Sequence, residues 1–333
     1  MPDQTTIIRR QGRIGRITLN RPKALNALDL PMIHAITAAL RAWHDDPAVH
    51  AVVIDAVGDR AFCAGGDIRW LRDLSIAGDH AAIEAFFVDE YALNLAIARY
   101  PKPYVALIDG ICMGGGIGVS IHGSIRVATE AARFAMPETA IGFFPDVGAT
   151  FFLPRLRGAF GMHLGLTGAR IGGADAAYAG LATHLVPRDR IGSLADAMAE
   201  DGVAVLAGAA IPPPPGELCA LEHQVACFGQ DSLGAIIQAL DGLDTEWSRA
   251  TLATLRAMSP TALSWSFEIV RRGAGRTLEH CLQAELALTR HASCHPDFLE
   301  GVRAMVIDKD RTPRWSPPRL QDVSADSIAA LFG

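Results

Sequence analysis

The chain lacks the marks of several protein classes. Its six cysteines, Cys63, Cys112, Cys219, Cys227, Cys281 and Cys294, form no C-x-x-C pair and no metal-type spacing, so they read as reduced thiols rather than a disulfide framework or a zinc site. No stretch is long and apolar enough to span a bilayer. The formal net charge of -6 comes from interspersed Lys, Arg, Asp and Glu, and with no basic stripe neither nucleic acid nor an anionic membrane is an expected partner. There is no G-x-G-x-x-G dinucleotide fingerprint and no internal repeat. The opening Met1-Pro2-Asp3-Gln4-Thr5-Thr6 has neither the apolar core of a signal peptide nor the Arg-rich pattern of a transit peptide, which makes the cytosol the expected compartment.

What the chain does have is apolar material and a regular alternation of elements. Half of its 333 residues are hydrophobic, enough for one large or two modest domains with a buried core. Residues 13–19 read as the second strand of a hairpin turned near Gly12, and Asp29-Leu30-Pro31 opens an amphipathic helix to about His44. A strand over 50–57, a helix over 80–99, a strand over 104–109, a helix from the glycine turn near 114 and a strand over 124–128 follow. Such repeated crossovers make an α/β fold. The composition breaks at Ala209-Ala210-Ile211-Pro212-Pro213-Pro214-Pro215-Gly216, where four prolines exclude helix. We therefore expect a core carrying the active site over 1–208 and a proline-rich connector with a helical C-terminal region over 209–333. Its helices are expected at 233–243, 246–258, 260–271 and 278–292.

Chemistry is expected in the stretch FAMPETAIGFFPDVGATFFLPR, residues 134–155, which holds Glu138 and Asp146 eight positions apart among apolar side chains. A carboxylate in such surroundings is poorly solvated and its basicity is raised. The bland alternative is that Glu138 starts a helix and Asp146 caps a turn. Two glycine turns shift the balance. Gly114-Gly115-Gly116 follows the strand-like 104–108, and Ala64-Gly65-Gly66-Asp67 follows the strand-like 50–55. Bare amides at two strand exits can supply a pair of donors to one developing oxyanion, as acyl chemistry requires. Cys63 and Cys112 precede these turns, but no motif places a His to activate them, and packing is their expected role. Gly118-Val119-Ser120-Ile121-His122 fails as a nucleophile elbow because His122 stands where its last glycine should be.

These motifs, with Asn20-Arg21-Pro22-Lys23-Ala24-Leu25-Asn26 and AFCAGGDI at 61–68, resemble the crotonase (enoyl-CoA hydratase/isomerase) superfamily. PKPYVALIDGICMGGGIG at 101–118, RVATE at 126–130 and Met258-Ser259-Pro260-Thr261 extend the resemblance. The 134–148 stretch and EGVRAMVIDKDRTPRW at 300–315 are similar to the branch that hydrolyses 3-hydroxyisobutyryl-CoA in valine catabolism. The resemblance implies a spiral of ββα turns as the core. A hydratase of this superfamily carries a second catalytic glutamate at the position held here by Gly118, because adding water across a double bond needs a base and an acid together.

On the resemblance, the implied activity is thioester hydrolysis. The amides of Gly66 and Gly115 hold the oxyanion. Glu138 either attacks the carbonyl or deprotonates a water, and Asp146 orients the 3-hydroxyl of the substrate. Glu90, on sequence alone an exposed helix residue, is placed by the Glu90-Tyr91 pair in the acyl pocket. Lys23, Ala24, Leu25, Ala64, Asp67 and Ile68 line the CoA path. No metal or redox cofactor is implied, coenzyme A being part of the substrate, and a homo-oligomer is left open. The rival readings are an enoyl-CoA hydratase or isomerase and a non-catalytic acyl-CoA-binding protein.

Overall fold

The apolar runs at 51–54 and 104–108 are continuous rather than alternating, the pattern of strands covered on both faces, and both become central strands. In the computed structural model, which describes residues 4–332, β1 (Thr6–Gln11) and β2 (Ile14–Leu19) form the expected hairpin, with Gln11 opposite Ile14. Then come β3 (Ala51–Ala56), β4 (Ala61–Cys63), β5 (Tyr104–Ile108), β6 (Ile111–Met113), β7 (Ile125–Ala128), β8 (Arg133–Ala135), β9 (Ile171–Gly172) and β10 (His184–Leu185). One sheet has the order β1-β2-β3-β5-β7-β10 and is parallel from β2 onward, while the other has the order β4-β6-β8-β9. Each of β3, β5 and β7 is thus followed by a short strand of the second sheet. This is the ββα repeat that the resemblance implied.

Helix α1 (Leu30–Trp43) starts where its cap places it, the Asp29 carboxylate accepting from Met32 N–H at 2.9 Å. The helices α2 (Ile68–Ala77), α3 (His80–Ala98) and α4 (Gly115–Ile121) precede a series of short elements. The helices Leu233–Leu243 and Leu278–Ala292 have the expected bounds, and Glu246–Ala257 and Pro260–Gly273 differ from expectation only at their ends. The helix Arg188–Asp201 was not foreseen, since it follows Pro187 without a Ser, Thr, Asp or Asn cap. It buries Leu194, Ala195 and Met198 in a core with Ile14, Val53, Val105 and Val127.

The chain divides into two compact units. The first comprises the chain up to Asp67 with Asp89–Phe134 and Ile171–Cys219, and the second Ile68–Val88, Ala135–Arg170 and the chain from Ala220. The proline run at 212–215, where the C-terminal region was expected to begin, lies inside the first unit. It is tied there by Ile211 N–H donating to Leu185 O at 2.8 Å. No helix among the described residues is long and apolar enough to cross a membrane. The expectation about a leader rests partly on residues 1–3, which lie outside the described residues.

Candidate active site

In the first unit the Asn20–Asn26 motif works as a scaffold. The Arg21 guanidinium donates to Ala27 O at 2.7 Å and pairs with Asp67 at 3.0 Å, while buried Asn26 donates to Val57 O and Ala61 O at 3.0 and 2.9 Å. These bonds lay the segment 24–28 against 64–67. Ala64 N–H donates to Leu25 O at 3.0 Å, Leu28 N–H to Gly65 O at 2.8 Å and Asp67 N–H to Leu28 O at 2.9 Å. Lys23, Ala24, Leu25, Ala64 and Asp67 are thereby brought together, with Ile68 opening α2. A cavity of about 180 Å³ lies beside Lys23 and Leu25, floored by Val57 and Gly58.

The Gly65-Asp67 ladder bonds leave the Gly66 amide outside that ladder, and Gly115, as the first residue of α4, has no intrahelical acceptor for its amide. Both follow a glycine with positive φ, Gly65 at +117° and Gly114 at +46°, conformations that L side chains rarely adopt. The two turns converge: a Cβ built on Gly115 would lie 3.2 Å from Gly66 N and 2.6 Å from Glu90 Oε1. Glu90 is buried, 2% exposed on α3, not on an exposed face as its sequence surroundings alone suggested. Gly118 is a buried interior residue of α4. Cys63 and Cys112 are buried and burial raises both thiols, Cys63 to about 12, so neither is a thiolate nucleophile at neutral pH. Ser120 gives its hydroxyl to Gly116 O and Ile117 O within α4.

The carboxylates belong to the second unit. Glu138 follows Pro137 and starts the 3-10 turn Glu138–Ile141, so the bland expectation of a helix-start residue holds for its backbone. Its side chain behaves otherwise. It is 7% exposed, and its Oε2 is buried without a hydrogen-bond partner among the described residues. Burial first, and the charge of Asp146 second, raise its pKa well above the ordinary carboxylate value. Phe143 walls this region, stacked on Phe87 and Phe144 with ring centroids 5.8 and 4.7 Å away. The Met258-Ser259-Pro260-Thr261 motif fastens the turn: Ser259 N–H donates to Thr139 O at 3.2 Å, and its hydroxyl caps the helix Pro260–Gly273.

Asp146 is also buried, 6% exposed, ahead of a turn in which Val147 has φ +52° and Gly148 φ +84°. The 300–315 motif is a charge-knotted loop in which Arg303 pairs with Glu300, Asp308 and Asp310 at 2.7, 2.7 and 2.6 Å. Sequence reasoning missed Glu285, a wholly buried carboxyl on the helix Leu278–Ala292 that bonds to the Asp146 turn. A glutamate inside an amphipathic helix pattern carries no signal of its own, and only the tertiary fold reveals its burial. No group of three or more His, Cys, Asp or Glu among the described residues is placed to hold a metal ion.

A model of the enoyl-CoA hydratase/isomerase family matches residues 14–332. A relative from Xenopus tropicalis named 3-hydroxyisobutyryl-CoA hydrolase, mitochondrial, is 44% identical over 99% of this chain and 89% of its own length. One of the same name from Homo sapiens is 40% identical over 99% and 88%. A solved structure, named as a carnitinyl-CoA dehydratase from Mycobacterium thermoresistibile, is similar with a TM-score of 0.95 at 40% identity, over 99% of this chain and 96% of that one. The expected cytosolic location finds no support in these names, since both relatives are called mitochondrial.

Proposed function

Because the chain belongs to the enoyl-CoA hydratase/isomerase family, we propose that it is a thioester hydrolase acting on 3-hydroxyisobutyryl-CoA or a near relative. The observation that carries the reading is a pair of buried carboxyls in one segment, Glu138 and Asp146, with glycine at 118 where hydration needs an acid. The hydrolase names of the relatives agree with it.

In this reading the Gly66 and Gly115 amides polarise the thioester carbonyl and hold the oxyanion, each donor contributing about 2.7 to 4 kcal/mol of barrier lowering. Glu138 supplies the attack, either as nucleophile through a mixed anhydride or as base to a water; a carboxylate made more basic by burial serves both roles. The carbon–sulfur bond then breaks. On the base route coenzyme A leaves as its thiol, with the proton that Glu138 took from water. On the anhydride route it leaves as the thiolate, after which a water cleaves the anhydride, restores Glu138 and supplies the thiol's proton. Asp146 accepts the 3-hydroxyl of the acyl group, and Glu90 lines the acyl pocket. Lys23, Ala24, Leu25, Ala64, Asp67 and Ile68 hold the CoA moiety, mostly through backbone groups. No metal or redox cofactor enters the reaction.

A second reading, a hydratase or dehydratase, is favoured by the name of the Mycobacterium structure. One experiment separates them. Thiol release from 3-hydroxyisobutyryl-CoA, with no change in conjugated enoyl absorbance, supports hydrolysis; formation or loss of a 2-enoyl-CoA without free thiol would replace it with the second reading.

A further inference from the structure

The Asp146 turn has an unfavourable backbone conformation and is bonded by one residue far along the chain. Val147 is β-branched and has φ +52°, a conformation that such residues adopt only when their surroundings over-determine it. Glu285 bonds the residues that follow Val147. Its Oε2 accepts from Gly148 N–H at 2.7 Å, and its Oε1 accepts from Thr150 N–H at 3.0 Å and from the Thr150 hydroxyl at 2.5 Å. Between these donors, Ala149 N–H returns to Asp146 O at 2.8 Å, so the clamp reaches the backbone of Asp146 itself. The other side of the turn is closed by backbone packing: a Cβ on Gly273 would lie 1.9 Å from Thr150 O. Glu285 is 0% exposed and has no ion-pair partner among the described residues. The titratable groups that face it are Asp146 on the turn and Cys281 one helical turn earlier, with Arg155 and Arg276 beyond Cys281. A buried acid with no cation is costly. Here all the acceptor capacity it uses is spent on the residues that follow Asp146.

We propose that Glu285 is a positioning residue for Asp146, clamping the 147–150 turn so that the Asp146 carboxylate is presented to the 3-hydroxyl of the substrate. The inference rests on the proposed role of Asp146. Burial raises the Glu285 pKa to about 8, while the hydrogen bonds from Thr150 and Gly148 act in the opposite direction and the charge of Asp146 adds to the rise.

The test is a double-mutant cycle with a local readout. Glu285→Gln keeps the size of the side chain but in either amide orientation sets its NH2 group against a backbone N–H, that of Gly148 or of Thr150, releasing at least one bond of the clamp. Measured with 3-hydroxyisobutyryl-CoA, Glu285→Gln should lower kcat/KM by about tenfold, the order expected of one lost hydrogen bond, and less with isobutyryl-CoA. In an Asp146→Ala background it should cost nothing further. Amide exchange at 147–150 should quicken while the rest of the chain stays protected. Equal losses in both backgrounds, or unchanged exchange at 147–150, overturn the proposal. Should Glu285→Gln fail to fold, Thr150→Val, which removes the hydroxyl donor, must reproduce the pattern and Thr150→Ser must restore wild-type values; any other result overturns it. Failure of the underlying reading looks different. If Asp146→Ala costs both thioesters equally, Asp146 does not bind the hydroxyl, yet non-additivity and exchange still support the clamp. If Asp146→Ala costs neither thioester anything, both fall.

Discussion

Gly115 and Glu90 approach so closely that a single methyl group on Gly115 would stand 2.6 Å from Glu90 Oε1, while also pressing to 3.2 Å on Gly66 N. The strand-exit glycine, the helix carboxyl and the second candidate oxyanion amide therefore share one small volume in the first unit. Gly115→Ala tests that volume directly. Displacing one oxyanion donor costs on the order of 10² to 10³ in kcat, and we expect a loss of that size with the protein still folded. Gly234→Ala is the control, because its Cβ meets nothing within 4 Å and an exposed helix gains about 1 kcal/mol when alanine replaces glycine. Its activity should be unchanged. If Gly115→Ala retains activity within twofold of wild type, the Gly115 amide is not an oxyanion donor.

Glu138→Gln should lower thiol release by at least about 10², the usual contribution of a positioned acid or base, and leave CoA affinity near wild type. It should also change stability in a direction set by pH. The folded pKa of Glu138 is raised by burial and then by Asp146 above the ordinary 4.5. A carboxyl of this kind contributes its full stability below its unfolded pKa, and that contribution is lost as pH rises through its folded pKa. The amide that replaces it has no charge to bury. The melting temperature of the variant relative to wild type should therefore rise between pH 4.5 and the alkaline side. A difference that is flat with pH would show that Glu138 is not held in a poorly solvated place.

Much of this was legible in the sequence, for reasons that differ residue by residue. The helix 233–243 is legible from its helical pattern, and the structure adds the Ser232 cap through Ala235 N–H. The glycine turns are legible from runs of glycine and small residues at strand exits, and Gly65 and Gly114 there adopt positive φ. The poor solvation of Glu138 followed from its Phe, Met and Ile neighbours. Three things were not legible. Helix 188–201 lacks a capping residue, so its start was invisible. Glu90 shares its helix face with aromatic residues, but no local pattern marks a helix glutamate as buried, and its closeness to Gly115 arises from a distant part of the chain. Glu285 bonds to residues 135 and 137 positions away, a separation no local pattern encodes.

The pH profile of kcat/KM should carry the same environment. Whether Glu138 attacks directly or through a water it must be ionised, so activity falls as pH drops through its raised pKa. The acidic limb should lie above 4.5, the ordinary carboxylate value. Asp146→Asn keeps the shape of the neighbour while removing its charge, the second cause of the shift. The limb should then move to lower pH when followed with isobutyryl-CoA, a substrate with no hydroxyl for residue 146 to bind. A limb that stays in place would mean that the two carboxyls do not feel one another during catalysis.

Substrate choice rests on Asp146. It is buried, and its turn is clamped by Glu285 through Gly148 and Thr150, which favours a fixed acceptor over a solvated surface acid. A hydroxyl donating to a charged acceptor contributes about 1.5 to 3 kcal/mol, or roughly 10- to 150-fold in kcat/KM. The wild type should prefer 3-hydroxyisobutyryl-CoA over isobutyryl-CoA by that factor. Asp146→Ala should erase the preference by slowing the hydroxylated thioester alone, because the plain acyl group never made the bond. Measuring kcat/KM for both thioesters with both proteins decides the matter. Parallel losses would assign Asp146 to the chemical step, and no loss would remove it from the site.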